Sequence, residues 1–386
     1  DTITGSTGAE TISGGAGADS IVGVSGNDSL VGGAGNDTFN FAASDGLTAD
    51  DTVDGGDGTD TVIASDINSN YSGTLTNVEV LTLDFGTNAT TFSVANAAGA
   101  TTITATGDAG GRTATLGAMA DGTTVKLADD NLVATLDTVA DANLTVDLTG
   151  AAGARALTVT DAETVTFTNT SEGTDTSVAN AVLDATDTTG LTVTGAATAG
   201  DTIGTGNITG TNALSSLTVT TQATGATATV GTVADADGLT SITINANGAN
   251  ATFGQIGTNA TANNAELLAT LDVDASGTGV TATTGAIFAD STVDSASDLA
   301  MTVTSDIGSG ATGTMGAINN TYGSITGTYT NAGTITQAAL TATNMTLTSS
   351  GGGSTTFDAL NSAGGTVSLT SSGPGTLVVT TANVDG

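Results

Sequence analysis

Residues 1–63 repeat a pattern of nine in which a large apolar residue follows an acid by two positions. In each full unit glycine holds positions one and four, an acid position six and the large apolar residue position eight. The alternating half predicts a short strand whose position-eight side chain points inward, and the glycine half predicts a tight turn. The units are 5–13, 14–22, 23–31 and 32–40 without a break, then a partial unit at 51–54 and a full one at 55–63.

Two such units make one coil. Coils stacked at the inter-strand spacing of about 4.8 Å place the position-six acids of alternate units above one another. Asp1, Asp19 and Asp37 are then expected along one edge, and Glu10 and Asp28 along the other. Two carboxylates at this separation repel by roughly 3 kcal/mol at an effective dielectric constant near 20. The stack therefore needs a cation between its rungs.

Calcium suits this pattern because it prefers six to eight hard oxygen ligands in flexible loops. A single glycine-rich acidic tetrad is more often an ordinary turn, but four consecutive units in phase, with a fifth, favour metal binding. The candidate ligands are the acids of the repeat and the glycines of its turns. They are Asp1, Glu10, Asp19, Asp28, Asp37, Asp51, Asp54, Asp57, Asp60, Gly14, Gly15, Gly17, Gly32, Gly33, Gly35, Gly55, Gly56 and Gly58.

From about residue 70 the chain changes to short alternating runs, each typical of a half-buried strand. Their starts are usually about 20 to 30 residues apart, which favours an irregular parallel β-solenoid, with a β-sandwich as the alternative. Very little helix is expected, with residues 263–271 the best candidate. We predict an all-β chain with a calcium-bound β-roll over 1–63 and a Thr/Gly/Ala-rich solenoid-like assembly domain over 64–386. The runs are 81–83, 101–106, 123–127, 144–148, 163–168, 191–194, 217–220, 241–245, 301–304, 345–348, 366–370 and 377–380.

Two sequence features after about residue 70 can each be interpreted as a binding site or as ordinary surface structure. Thr-x-Thr runs resemble the flat faces of ice-binding solenoids, but a ladder requires constant coil length, so their uneven spacing favours ordinary outward-facing strand residues. Acidic pairs in the turns are solvated turns or further calcium sites. These acids are Asp121, Asp129, Asp130, Asp235, Asp237, Asp272 and Asp274.

Composition excludes several classes of function. The 386 residues include no Cys, His or Trp, and 39 acids against 3 bases give a net charge of −36. A histidine base, a thiol nucleophile, a His/Cys zinc site and disulfides are therefore impossible. The charge disfavours nucleic acid and anionic lipid, and no apolar run is long enough to insert into a membrane.

Catalytic constellations are also missing from the sequence. The three bases, Arg112, Lys126 and Arg155, are too few for the basic groups of a lyase site, and Tyr71, Tyr322 and Tyr329 are far apart in sequence. A carboxylate pair acting on a sugar would lack the usual aromatic platform. We therefore expect no enzyme activity.

The nonapeptide resembles the repeat of the RTX proteins, G-G-x-G-x-D-x-U-x with U a large apolar residue. Residues 14–22, 32–40 and 55–63 match it fully. Glu10 and Val24 depart from it, so weaker binding is expected at the edge with Glu10 and Asp28. The resemblance implies a calcium-bound parallel β-roll, several Ca²⁺ ions and type I secretion to the outside of the cell.

Thr, Gly and Ala richness, acidity and absence of Cys make the chain most similar to RTX-type S-layer proteins of Gram-negative bacteria. The resemblance implies a structural, calcium-dependent protein that self-assembles into a lattice or filament on the bacterial cell surface. Its expected partner is a second copy of itself, with cell-surface polysaccharide contacted through a region outside this chain. The alternative is a segment of a large RTX adhesin or biofilm-matrix protein that binds a surface or ligand.

Overall fold

The chain, described here from a computed structural model, forms two compact units, Asp1–Thr166 and Phe167–Gly386. Both are built from parallel β-strands, so the predicted all-β parallel solenoid is confirmed and the sandwich alternative, which needs antiparallel sheets, is wrong. The structure describes residues 1–41, 47–48, 50–65, 67, 71, 73–86, 90–97, 99–107, 113–128, 132–149, 153–169, 176–183, 187–195, 202–209, 211, 213–222, 227–234, 236–258, 265–289 and 300–385.

The first unit contains strands β1 to β14, a short 3-10 helix and most of β15. The strands are β1 Thr2–Thr4, β2 Thr11–Ala16, β3 Ser20–Val22, β4 Ser29–Ala34, β5 Thr38–Phe41, β6 Thr52–Asp57, β7 Thr61–Ala64, β8 Thr74–Thr76, β9 Val80–Asp84, β10 Thr90–Ser93, β11 Thr102–Thr106, β12 Thr113–Met119, β13 Thr124–Leu127, β14 Val133–Leu148 and β15 Gly153–Asn169. The 3-10 helix spans Val94–Ala97.

The second unit contains β16 to β33. These are β16 Thr176–Val182, β17 Gly190–Gly195, β18 Thr202–Thr209, β19 Ser216–Thr221, β20 Thr227–Val230, β21 Ser241–Asn247, β22 Ala251–Phe253, β23 Thr270–Ser276, β24 Thr281–Thr284, β25 Ile287–Phe288, β26 Ala300–Ile307, β27 Thr312–Met315, β28 Ile318–Asn331, β29 Thr334–Gln337, β30 Leu340–Gly351, β31 Ser354–Ala363, β32 Val367–Ser372 and β33 Thr376–Asp385.

In the first coils each strand pairs in parallel with the strand two places later, so one coil contributes one strand to each of two stacks. The position-eight residues lie directly above one another inside the coils. Ile21, Phe39 and Val62 form such a column, which Leu81 continues beyond the repeat, and all four are fully buried. One apolar side chain per strand is therefore enough to build a thin continuous core.

The coils of the second unit have a third, shorter side. One column of buried aliphatic side chains runs along it through seven successive coils, each residue paired with the next. The column consists of Ile208, Val233, Ile256, Ile287, Ile318, Leu340 and Leu360. Thin walls of mainly small and aliphatic residues enclose this core, to which a few aromatic side chains such as Phe253, Tyr329 and Phe357 contribute.

The helix predicted over residues 263–271 is wrong in its described part. Residues 265–269 form a turn and irregular backbone, and β23 begins at Thr270, while 263–264 lie outside the described residues. The spacing of Ala265, Leu268 and Leu271 fits one face of a helix, yet all three are buried here through a turn and a strand. β23 pairs in parallel with β21, and this pairing favours a strand over a helix from Thr270 onward.

The threonines of the second unit stand in register although the coils differ in length. One outward column holds threonine in every rung except one: Thr192, Thr218, Thr243, Asp272, Thr304, Thr328, Thr348 and Thr370. The interval along the chain between rungs is shortest from Thr328 to Thr348 and longest from Asp272 to Thr304. The expectation that uneven spacing prevents a ladder is wrong, because the connecting segments absorb the difference.

A second outward face of this unit holds two adjacent columns. One contains Thr229, Thr252, Thr283, Thr314, Thr336 and Thr356, and the other contains Thr281, Thr312, Thr334 and Ser354. We call these ten residues the threonine array. No acidic or basic residue interrupts the paired rungs, so this part of the surface is uncharged.

The predicted domain boundary near residue 64 lies inside the first compact unit. Strand β7, which ends the repeat, pairs in parallel with β9, which follows it. The two parts of this unit thus share one stack of strands. The division at residues 63 and 64 stays a prediction.

Glycines stack at one corner of the coils in the second unit. A Cβ added to Gly285 would lie 2.5 Å from the carbonyl oxygen of Gly254, and Gly316 stands in the same relation to Gly285. Backbone therefore packs on backbone at this corner, and any side chain would push two coils apart.

We predict that Gly285→Ala lowers the free energy of unfolding by about 1 to 3 kcal/mol, the usual cost of overpacking. Gly352→Ala is the matched control, because the nearest atom to its added Cβ, Cγ of Pro374, lies 3.9 Å away. Urea denaturation in calcium, followed by circular dichroism, measures both variants. Equal stability of the two would contradict the tight corner.

Candidate calcium site

The position-six acids occupy two sets of turns in the first unit. Edge A comprises the turns before β1, β3, β5 and β7, with Asp1, Asp19, Asp37 and Asp60. Edge B comprises the turns before β2, β4 and β6, with Glu10, Asp28 and Asp51. The structure thus brings seven of the predicted acids into two columns, as a coil of two units predicts.

A hydrogen-bond ladder links the acids of edge A. The backbone N–H of Asp19 donates to Oδ1 of Asp37 at 2.7 Å, and the N–H of Asp37 donates to Oδ1 of Asp60 at 2.7 Å. The backbone nitrogen of Asp1 donates to Oδ1 of Asp19 in the same way. Oδ1 of each carboxylate therefore accepts a hydrogen bond from the preceding coil, and this fixes the direction of Oδ2.

Edge B has the same kind of hydrogen-bond ladder, but the carboxylates at its two ends accept further hydrogen bonds. The N–H of Glu10 donates to Asp28 Oδ1, and that of Asp28 to Asp51 Oδ1, both at 2.9 Å. Thr48 donates its N–H and its hydroxyl to Oδ2 of Asp51, and Ser6 does the same for the Glu10 carboxylate. The acids at both ends of this edge thus have protein donors of their own.

The second oxygens of edge A are buried and have no hydrogen-bond partner. This holds for Oδ2 of Asp19, Asp37 and Asp60, whose residues are at most 3% exposed. A buried carboxylate without a compensating charge or donor is costly. Three such oxygens in one column therefore point to a missing positive partner.

Burial and neighbouring acids act on the pKa values of the ladder. Burial raises the pKa of Asp28, and the charges of Glu10 and Asp51 add to this. Burial likewise raises the pKa of Asp60 beside Asp37, Glu79 and Asp54. Hydrogen bonds from Ser6 instead lower the pKa of the exposed Glu10. Asp28 and Asp60 thus resist ionisation unless a cation compensates for their charge.

Backbone carbonyls approach the unpartnered oxygens through the position-one glycines. A Cβ added to Gly14 would lie 2.5 Å from Oδ2 of Asp19 and 2.8 Å from the carbonyl oxygen of Gly32. Gly32 lies in the same way between Oδ2 of Asp37 and the carbonyl of Gly55. Only glycine fits here. Each position-one glycine therefore leaves room for a carboxylate oxygen and a carbonyl oxygen to bind the same ion.

The remaining turn glycines supply the backbone shape. Gly33 and Gly35 have φ of 115° and 130°, a region that residues with a Cβ rarely adopt. Val24, which replaces the second glycine of its unit, adopts φ of 72° and so keeps the turn at the cost of strain. Weaker binding at edge B, expected from Glu10 and Val24, stays a prediction.

The donor set fits calcium. In the described part of the chain no three acidic side chains converge on one point, so the ligands must combine carboxylates with turn carbonyls. Both are hard oxygen donors in turns, which Ca²⁺ accepts at high coordination number. Bound between rungs, the ion would supply the positive charge that the buried Oδ2 atoms lack.

Two predicted acids lie away from the ladders. The Asp54 carboxylate accepts a hydrogen bond from Nδ2 of Asn77 at 2.8 Å, and Asp57 is exposed on β6 beside Ala34. Neither lies in a position-six column. Their role as calcium ligands stays a prediction, as does that of the glycines and the ladder acids.

One acid of the ladder is missing from the sequence-based set. The N–H of Asp60 donates to Oε2 of Glu79 at 2.8 Å, so Glu79 is the next rung of edge A. No nonapeptide surrounds it, but it precedes the buried Leu81 by two positions, the spacing of acid and apolar residue in every unit. That spacing is the signal that could have identified it.

The later acids are more dispersed. Asp121 accepts hydrogen bonds from the N–H and Nδ2 of Asn143, which lower its pKa. Asp274 accepts the N–H of Asp306 at 2.8 Å, while burial, with Asp272 and Asp306 nearby, raises its pKa. Asp129, Asp130 and Asp235 lie outside the described residues. Their use as further calcium sites stays a prediction.

We predict that Asp37→Asn weakens calcium binding to edge A by at least roughly tenfold, because it removes charge from a buried rung and keeps its shape. Asp358→Asn removes the same charge from an exposed residue on β31, away from both ladders, and should change affinity little. Isothermal titration calorimetry of the full chain measures both. Matching affinities in the two variants would contradict the ladder as the binding element.

Comparison with known proteins agrees with this geometry. Residues 1–40 and 45–66 match the family model of the RTX calcium-binding nonapeptide repeat, in four copies. No curated protein and no solved structure matches the chain. Among the described residues no helix is long and apolar enough to cross a membrane. The prediction of calcium as the bound ion is therefore confirmed, and the amino-terminal segment is similar to the calcium-binding repeats of secreted RTX proteins.

Proposed function

We propose that this chain is a structural, calcium-dependent protein that self-assembles into a lattice or filament on the outer surface of a bacterial cell. The observation that carries the proposal is the buried acidic ladder in a chain with a net charge of −36. Such a chain folds and packs against its own copies only where a divalent cation compensates for its charge.

Calcium would act at two levels. Within the coils it removes the cost of the buried Oδ2 atoms of Asp19, Asp37 and Asp60. Between copies it bridges exposed carboxylates that otherwise repel. Calcium is scarce inside cells and abundant outside, so the chain stays loose during type I secretion and folds after export.

The rest of the chain suits a structural role. Parallel coils bury a narrow core and present strand walls that repeat from coil to coil. The sequence supplies no histidine, cysteine or tryptophan for a catalytic site. We propose a non-enzymatic protein whose main partner is another copy of this chain, with cell-surface polysaccharide bound through a region outside it.

The threonine array supports a second candidate, a segment of an RTX adhesin or biofilm-matrix protein. Its two columns are uncharged in a strongly acidic chain and repeat at the inter-strand distance of about 4.8 Å. A regular hydroxyl surface of this kind suits contact with a surface that is itself regular and polar. The adhesin would bind through it as a monomer.

Electron microscopy of the purified chain distinguishes the two candidates. With calcium, a surface-layer protein should form ordered sheets or filaments, and with a chelator it should not, because the carboxylates then repel one another. Folded monomers in calcium at every protein concentration would favour the adhesin. Disordered monomers in both conditions would contradict both.

A further inference from the structure

The acidic ladder of edge A extends beyond the nonapeptides. The match to the repeat ends at residue 66, yet Asp60 makes the same bond to Glu79 that Asp37 makes to Asp60. In both cases a backbone N–H donates to a carboxylate oxygen of the next coil, at 2.7 and 2.8 Å. Glu79 thus takes the place of a position-six aspartate.

Asn77 takes the place of the position-one glycine in this coil. In register, Asp54 pairs with Thr76, so the next residue, Asn77, lies beside Gly55. A Cβ added to Gly55 would lie 2.5 Å from Oδ2 of Asp60, and the carbonyl oxygen of Asn77 would be closer still. The carboxylate and the carbonyl therefore meet at Gly55, as they do at Gly14 and Gly32.

The turn itself is shorter than a repeat turn. Asn77, Val78 and Glu79 alone connect β8 to β9, whereas the whole segment 55–60 leads from position one to position six in the unit before. Asn77 adopts φ of 51°, which asparagine tolerates better than most residues. The side chain of glutamate is longer than that of aspartate, and this extra length lets Glu79 reach the N–H of Asp60 from the shorter turn.

Asp60 supplies the observation that points to an ion. It is fully buried, and its Oδ2 has no hydrogen-bond partner. Among the described residues the single ion pair joins the chain's first amino group to Asp19, two coils away. The acids near Asp60 are Asp37, Glu79 and Asp54, and the negative charge of each acts on its carboxylate.

We propose that Asp60, Glu79 and the carbonyl of Asn77 form a further Ca²⁺ site at the end of edge A that no nonapeptide encodes. The ion would bind between the last repeat coil and the first coil outside the repeat. It would tie β7 to β9 and so join the repeat to the stack that follows. The inference rests on calcium binding by the ladder and not on assembly.

The test counts calcium ions bound to the full chain. Equilibrium dialysis against calcium alone compares wild type with Glu79→Gln and with Asp358→Asn, which removes an exposed acid away from both ladders. We expect Glu79→Gln to bind one ion fewer, or to weaken one site at least roughly tenfold, and Asp358→Asn to match wild type. An unchanged count and unchanged affinities in Glu79→Gln would overturn the proposal.

A crystal of the wild-type chain grown in calcium gives a second readout that needs no variant. Anomalous scattering should show an ion in contact with the carboxylates of both Asp60 and Glu79. A filled repeat ladder with no ion at this position would overturn the proposal and leave calcium-dependent assembly intact. Wild type that binds no calcium at all would overturn both.

Discussion

Electrostatic repulsion between stacked carboxylates is the constraint on which the first unit depends. A parallel solenoid repeats every turn at the inter-strand distance, so an acid at a fixed position of the repeat must stack on its own kind. Asp19, Asp37 and Asp60 show the result, because each is buried with one oxygen unpartnered. Such a column is costly without a compensating cation, and this cost is the basis of the proposal that folding depends on calcium.

The hydrogen-bond ladder explains how the chain prepares its acids for the ion. A backbone N–H of one coil holds Oδ1 of the next, while Oδ2 and a backbone carbonyl oxygen both lie next to a position-one glycine. The orientation is thus set by the backbone, before any metal arrives. Glycine is required at that place for space, whereas Gly33 and Gly35 are required for conformation.

The strands of the second unit stay in register although its coils differ in length. Coils there differ widely in length, yet threonine stays above threonine, and Ile208, Val233 and Ile256 stay in one column. Strand pairing and the buried column hold each wall, while the connections take up the extra length. Equal spacing along the chain is therefore not required for a threonine ladder.

The sequence alone predicted the repeat strands and many later ones, the two acidic columns and calcium as the bound ion, because these depend on local alternation and on a period that every unit repeats. It did not reveal Glu79, since a shortened turn broke the motif while the stacking continued, nor the alignment of the threonines. Residues 265–271 formed a turn and strand because β21 offered a partner. The neighbours that a residue meets one coil away follow from the folded coil, since the number of residues between coils varies while their spacing in space does not.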